Sequence, residues 1–209
     1  MSPGRRGHGG SYPEIDCVRQ VAVVAGGSMA FVLLARNATS GTVSAGEERV
    51  FRAVNSLSPA IRLPAWFVMQ SGSLAAVFVV AAAVFPRRRD TAVALAVGGT
   101  SAWALCKFVK RVVGRGRPAD HLDGVLVYGA AQRGRGFPSG HAAVATALAA
   151  IVSRVLPRPM AQLVWVIAAV VGGTRLYVGA HLPLDVAGGA VLGLSVGGAA
   201  NLALAARSQ

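Results

Sequence analysis

Residues Arg135 to Ile151 read RGFPSGHAAVATALAAI. A polar knot, Pro138-Ser139-Gly140-His141, opens straight into an apolar run. Pro138 suits the approach to a helix, and Ser139 suits its N-cap, where a hydroxyl accepts from an orphan backbone N–H. The unpaired N–H groups of a helix start attract anions, and Gly140 has no side chain to keep an anion away. Capping accounts for Ser139 but gives no reason for His141. An imidazole beside an anion site at a helix start is a candidate acid.

The surrounding chain is not that of a soluble protein. Of 209 residues, 54% are hydrophobic and 14% charged, against about 25% charged in a typical soluble domain. Mean hydropathy is +0.54. The net charge of +13 raises nucleic acid as a partner, but the basic residues sit in the breaks between apolar runs rather than along one face. That placement suits anionic lipid or a phosphorylated substrate instead. Cys17 and Cys106, one in a polar tail and one in an apolar run, suggest neither a metal site nor a disulfide.

Six apolar runs are expected to cross a membrane in an all-α bundle: 21–35, 64–85, 91–109, 139–156, 160–176 and 184–206. Residues 1–20 read as a basic, disordered tail, and 21–206 as a single membrane domain. The first run follows a basic start, as in a signal peptide, but no small-x-small cleavage site follows it, which favours a retained anchor. Between the first two runs, EERVFRAVNSL spaces Val50, Phe51, Val54 and Leu57 on one helical face, as in a helix lying on a membrane surface. Gly189, Gly193 and Gly197 recur every four residues in the last run. Such a stripe admits close packing inside the bundle or, alternatively, a homodimer contact.

Six crossings put both termini on one side, with Arg5, Arg6, Arg19, Arg87 to Arg89, Arg154, Arg158 and Arg207. The positive-inside rule makes that side cytoplasmic. The opposite loop, 110–138, is also strongly basic, so this orientation requires its cations to serve chemistry.

Two further clusters fall at run ends on that opposite side. KRVVGRGRP holds Lys110, Arg117 and Pro118, with Lys107, Arg111 and Arg115 around them. Alone, it reads as a basic flank that meets lipid headgroups. TRLYVGAHLPLD holds Thr174, Arg175, His181 and Asp185. An arginine after a nearly unbroken apolar run is costly and points to function. Pro183 marks a helix start, which puts Asp185 in the first turn, able to cap the helix and to reach His181. A carboxylate on one ring nitrogen fixes the tautomer and frees the other nitrogen.

Together the three clusters resemble the signature of the type 2 phosphatidic acid phosphatase family, related to vanadium haloperoxidases and glucose-6-phosphatase. The family pattern is Lys, six residues, Arg-Pro; then Pro-Ser-Gly-His; then Ser-Arg, five residues, His, three residues, Asp. This chain has Lys110 with Arg117-Pro118, Pro138 to His141, and Thr174-Arg175 with His181 and Asp185. Thr174 in place of Ser is the one departure. The motifs cover 110–185.

The resemblance implies an acid phosphatase/haloperoxidase-like helical bundle that removes phosphate from a membrane lipid. It implies His181 as nucleophile, Asp185 as its orienting partner and His141 as acid. Lys110, Arg117 and Arg175 would hold the phosphoryl oxygens, with the Ser139 hydroxyl and the Gly140 N–H. A fixed cationic cradle is the main requirement of phosphoryl transfer. With one motif carboxylate, already given to His181, and no clear Mg²⁺ cluster around Asp120 and Asp123, no metal or other cofactor is expected. The resemblance further implies a multi-pass protein of a bacterial plasma membrane with its site facing outside. Substrates of similar enzymes are undecaprenyl diphosphate, phosphatidylglycerol phosphate, phosphatidic acid and a decaprenyl-phosphate sugar phosphate; the motifs read only the phosphoryl group. Two readings from other classes are a non-catalytic protein that binds anionic lipid and a vanadate-dependent haloperoxidase, the latter disfavoured by the apolar runs.

Overall fold

The structure, a computed structural model of the chain, describes residues 16–130 and 132–207. Those residues are helical and contain no strand. The order is α1 (Cys17–Thr39), α2 (Ala45–Asn55), α3 (Arg62–Gln70), α4 (Leu74–Val84), α5 (Arg89–Val113), α6 (Gly140–Val152), α7 (Arg158–Tyr177) and α8 (Pro183–Arg207). The expected tail falls outside the described residues as far as residue 15. Helix α1 starts at Cys17, before the apolar run expected from Val21, because Asp16 caps it by accepting from the Arg19 N–H.

Local chemistry sets the other boundaries. Ser44 caps α2 and Ser73 caps α4, each hydroxyl accepting from the N–H three residues on. Gly114, at φ 72°, ends α5 in the left-handed conformation that glycine adopts at no steric cost.

Helices α1, α5, α7 and α8 are each long and apolar enough to cross a membrane. The segment expected as the second span is instead broken, with Pro59–Gln70 and Leu74–Val84 bent by 57°. Counting that pair as one crossing gives five. The fourth expected span, 139–156, is the exception. Helix α6 has 13 residues, roughly 20 Å at 1.5 Å per residue, short of the ~30 Å hydrocarbon layer. It can be short because it is the axis of the bundle: α5, α7 and α8 pack around it, and ten of its residues are buried. Protein, not lipid, sets its length.

Small residues permit this packing. A Cβ on Gly189 would strike the Ser139 carbonyl, and one on Gly193 the Ala143 carbonyl. The glycine stripe of α8 is therefore the seam against α6. Helices in lipid associate through such close contact and through interhelical hydrogen bonds. Two such bonds come from the buried Asn201 of α8, which donates to Gln20 of α1 at 3.2 Å and to the Ala150 carbonyl of α6 at 3.1 Å. The outer faces are apolar, with Met29, Leu33, Phe67, Val79, Phe108 and Val166 all more than half exposed.

Helix α2 differs from its expected place on a membrane surface. Phe51 is buried against Leu176 and Leu182, with Val54 beside it, whereas Val50 and Leu57 are about half exposed. Asn55 fastens the helix, donating to the Leu126 and Tyr177 carbonyls and accepting from the Leu126 N–H. One face of α2 roofs the end of the bundle where α7 turns into α8.

Candidate active site

The end of α5, the start of α6 and the α7–α8 turn meet at one end of the bundle. The Ser139 N–H donates to the Asp185 carbonyl at 2.8 Å. Arg117 Nη1 donates to the Ala180 carbonyl at 2.7 Å. Lys110 Nζ donates to the Gly136 and Arg135 carbonyls at 2.6 and 2.9 Å. These bonds join the three sequence clusters, so that Lys110, Arg117, Ser139, Gly140, His141, Arg175, His181 and Asp185 share one site.

The α7–α8 turn is built around His181. The Ala180 and His181 N–H groups both donate to the Arg175 carbonyl, at 3.1 and 3.2 Å, and fold the chain back over the end of α7. Helix α8 starts at Pro183, which leaves Asp185 in its first turn. Asp185 Oδ2 accepts from the Leu182 N–H at 3.0 Å and stands 3.4 Å from His181 Nδ1. One carboxylate oxygen therefore caps the helix and faces the imidazole. Both residues are buried, Asp185 completely. Burial pushes the His181 imidazole down to about 3, with nearby Lys110 and Arg175 adding to the shift and Asp185 opposing it. It is neutral at physiological pH, so a proton on the Asp185-facing nitrogen leaves Nε2 with a free lone pair.

Helix α6 starts at Gly140 with Ser139 as N-cap; the hydroxyl accepts from the Ala142 N–H at a long 3.5 Å. His141 follows in the first turn, close enough to Lys110 and Arg175 for both to bear on it electrostatically.

The cations differ in how their donors are used. Arg175 is buried; its Nη1 meets the Met69 sulfur at 2.7 Å, and its Nε has no partner among the described residues. A buried guanidinium held by a thioether has N–H groups to offer an anion. Among the described residues the Arg117 side chain donates to backbone carbonyls, those of Gly134, Ala180 and Arg133. Arg117 and Arg175 both line a cavity of about 260 Å³, with Trp66, Met69, Tyr128 and Gln132 also on its walls. Among the described residues no group of three or more His, Cys, Asp or Glu is arranged to hold a metal ion.

Thr174 donates its hydroxyl to the Val171 carbonyl at 2.7 Å, within its own helix and away from the cradle. Two site neighbours escape the sequence reading. Arg115 reads as one of several lipid-flanking cations, yet it is buried and donates to Glu47 Oε1 and Oε2 at 3.0 and 2.7 Å and to Asp185 Oδ1 at 3.2 Å. Glu47 reads as part of a surface helix. The available signal is Ser44-x-x-Glu47, the spacing of a capping box. The Glu47 carboxylate turns away from that role, toward Arg115 and the Leu184 N–H at 2.9 Å.

A membrane-embedded helical bundle with a cationic pocket beside a buried His–Asp pair defines a class of phosphate-handling membrane proteins. The chain belongs to the PAP2 superfamily, whose sequence profile matches residues 90–208. It is 36% identical over 118 residues to decaprenylphosphoryl-5-phosphoribose phosphatase of Mycobacterium tuberculosis, in two strains. That match takes in 56% of this chain and 63% of the relative, so under two thirds of the relative's length is spanned. Two solved structures share the fold. LpxE of Aquifex aeolicus superposes with a TM-score of 0.68 at 26% identity, over 74% of this chain and 93% of that one. A transmembrane PAP2-type phosphatidylglycerolphosphate phosphatase from Bacillus subtilis gives 0.72 at 22% identity, over 90% and 98%.

Proposed function

We propose that this chain is a lipid phosphate phosphatase working through a phosphohistidine. His181 Nε2 attacks phosphorus while the bond from phosphorus to the lipid oxygen breaks. His141, protonated once the anionic phosphate is bound, gives its proton to the departing oxygen. Water then attacks the phosphohistidine, His141 takes a proton from it, and the P–N bond breaks to release inorganic phosphate. Asp185 orients the imidazole and stabilises the charge that His181 gains during attack. Lys110, Arg117 and Arg175, with the Ser139 hydroxyl and the Gly140 N–H, hold the equatorial oxygens, where negative charge is spread in the transition state. The observation that carries this reading is the buried, neutral His181 held by Asp185 beside Arg175, whose Nε has no partner among the described residues.

The cradle needs no metal on this reading. Three cations surround the phosphate position, and the one carboxylate against His181 is already engaged by the Leu182 N–H and Arg115. A polyprenyl phosphate bearing a sugar phosphate is the first substrate to test. The Mycobacterium tuberculosis relative is named for one, and the cavity beside Arg117 and Arg175 offers Trp66 and Tyr128 as walls for a ring. On this reading the protein sits in a bacterial plasma membrane as one domain over 21–206 with its site outside, and both termini fall inside when the short α6 is counted as a sixth crossing beside the five. The loop's basic residues, which obscure the positive-inside count, support that orientation because Lys110, Arg115, Arg117 and Arg135 are engaged in the fold.

The test is phosphate release by the detergent-solubilised full chain from a panel of lipid phosphates, with chelator present. Wild type is expected to release phosphate and to trap label on a histidine. His181→Asn is expected to lose activity by about 10⁴-fold or more. Undiminished activity in that variant overturns the phosphohistidine, and activity abolished by chelator overturns metal independence.

A further inference from the structure

Behind His181, away from the cavity, four side chains form an unbroken chain. Glu47 holds Arg115 through both of its carboxylate oxygens, Arg115 holds Asp185 Oδ1, and Asp185 Oδ2 faces His181. Arg115 and Asp185 have fully buried side chains, and Glu47 is 10% exposed. Glu47 also accepts from the Leu184 N–H, in the first turn of α8, and Arg115 Nη2 reaches the Thr42 carbonyl at 3.3 Å. Helix α2 is thereby tied to the turn that carries the histidine. Glu47 lies before residue 90, where the family match begins, so this anchor comes from the part of the chain that the profile leaves unread.

We propose that Glu47 and Arg115 are positioning residues that hold Asp185, and through it His181, in the attacking geometry. This rests on the phosphohistidine reading above. The physical reason is charge balance in a closed site. The Asp185 carboxylate is faced by Arg115 from the loop, by His181 and the Leu182 N–H from the α7–α8 turn, and at longer range by Lys110 of α5 and Arg117 of the loop. Among the described residues Arg115 is the one side-chain cation in hydrogen-bond contact with it. Two carboxylates, the fully buried Asp185 and the nearly buried Glu47, share that guanidinium. Without Arg115 they would face each other unpaired, and one would take up a proton. A protonated or turned Asp185 would no longer fix the imidazole, and misplacement by about 1 Å can cost about a hundredfold in rate.

The experiment uses the full chain in detergent and a lipid phosphate that wild type hydrolyses. Arg115→Gln, Glu47→Gln and the double variant are compared in kcat, KM and the acidic limb of kcat/KM. Arg115→Gln is expected to lower kcat by about a hundredfold with KM nearly unchanged, since neither residue meets the phosphate. Its acidic limb should move to higher pH. The double variant, which removes the excess carboxylate, should return that limb toward the wild-type position while kcat stays low. Glu47→Gln alone should lower kcat by less.

A folded Arg115→Gln with wild-type kcat, or a limb that the double variant does not restore, overturns the proposal. If Arg115→Gln does not fold, Glu47→Gln and Arg115→Lys decide it: wild-type kcat and pH profile in Glu47→Gln, or no rescue by Arg115→Lys, overturn it. A wild type that releases phosphate from none of the panel overturns the phosphatase reading itself, and this inference with it.

Discussion

Arg115 and Arg117 stand two residues apart on one loop and turn to different partners. Arg115, behind the imidazole, is buried with both terminal nitrogens on carboxylates. Arg117, in front, is partly exposed on the cavity wall with backbone carbonyls as its partners. The same side chain is structural where its charge is neutralised in place and available where it is not. A carbonyl is a neutral acceptor that an incoming phosphate can displace; a buried carboxylate pair is not. Arg175 belongs with Arg117, since its Nη1 donates to the Met69 sulfur and not to a carboxylate. In front, the guanidinium groups donate to carbonyls and a thioether; behind, one guanidinium is held between two carboxylates, and in the proposed mechanism it aims the nucleophile.

Substitutions in front should damage phosphate handling most. Arg175→Ala is expected to lower kcat/KM by about 10²- to 10³-fold, as loss of one preorganised donor to developing charge does elsewhere. It should also weaken inhibition by inorganic phosphate and vanadate, because both would occupy the same cradle. Arg175→Lys should recover little, for a point charge cannot reproduce a fork of N–H groups. Steady-state kinetics with vanadate competition measure both effects. Equal vanadate affinity in wild type and Arg175→Ala would erase the distinction between front and back.

A smaller effect reports on the buried histidine through stability. The folded protein holds the His181 imidazole at about 3 through burial, while the unfolded chain has it near 6.5. Between those values the unfolded state binds the extra proton, so this group's contribution is full above pH 6.5 and is lost as pH falls toward 3. Thermal unfolding in detergent should show wild type losing stability over that window. His181→Asn should lose less across the same interval. Parallel curves for the two proteins would mean that His181 is hydrated and reaches its charged form in the fold.

What the sequence discloses follows from chain distance. His181 and Asp185 are four residues apart at a helix start, and Ser139, Gly140 and His141 are consecutive, so spacing and cap chemistry suffice to see them. The Glu47–Arg115 contact spans 68 residues and the Gln20–Asn201 contact spans 181. Neither has a local pattern, and both exist only once the helices are packed. The same limit explains α6. An apolar run reads as a membrane span, but whether lipid or neighbouring helices surround it is a tertiary fact, and here neighbours bury it at 13 residues. Helix α2 was half legible: its apolar period is real, but that face covers Leu176 and Leu182.

The least damaging substitution tests where the front ends. Thr174 is the position at which this chain departs from the serine of the resembled pattern, and a hydroxyl next to Arg175 suggests a phosphate contact. The structure gives that hydroxyl a different acceptor, the Val171 carbonyl at 2.7 Å, in the previous turn of α7. A side chain bonding back to its own helix contributes nothing to the cradle and little to the helix, whose carbonyl keeps its backbone partner. Thr174→Val preserves the shape of a buried side chain and removes the hydroxyl alone. Its kcat/KM should stay within about threefold of wild type, against the far larger loss for Arg175→Ala. A fall approaching that of Arg175→Ala would mean that the hydroxyl leaves Val171 and turns to the phosphate when substrate binds. The front would then extend one residue further along α7 than the resting hydrogen bonds indicate.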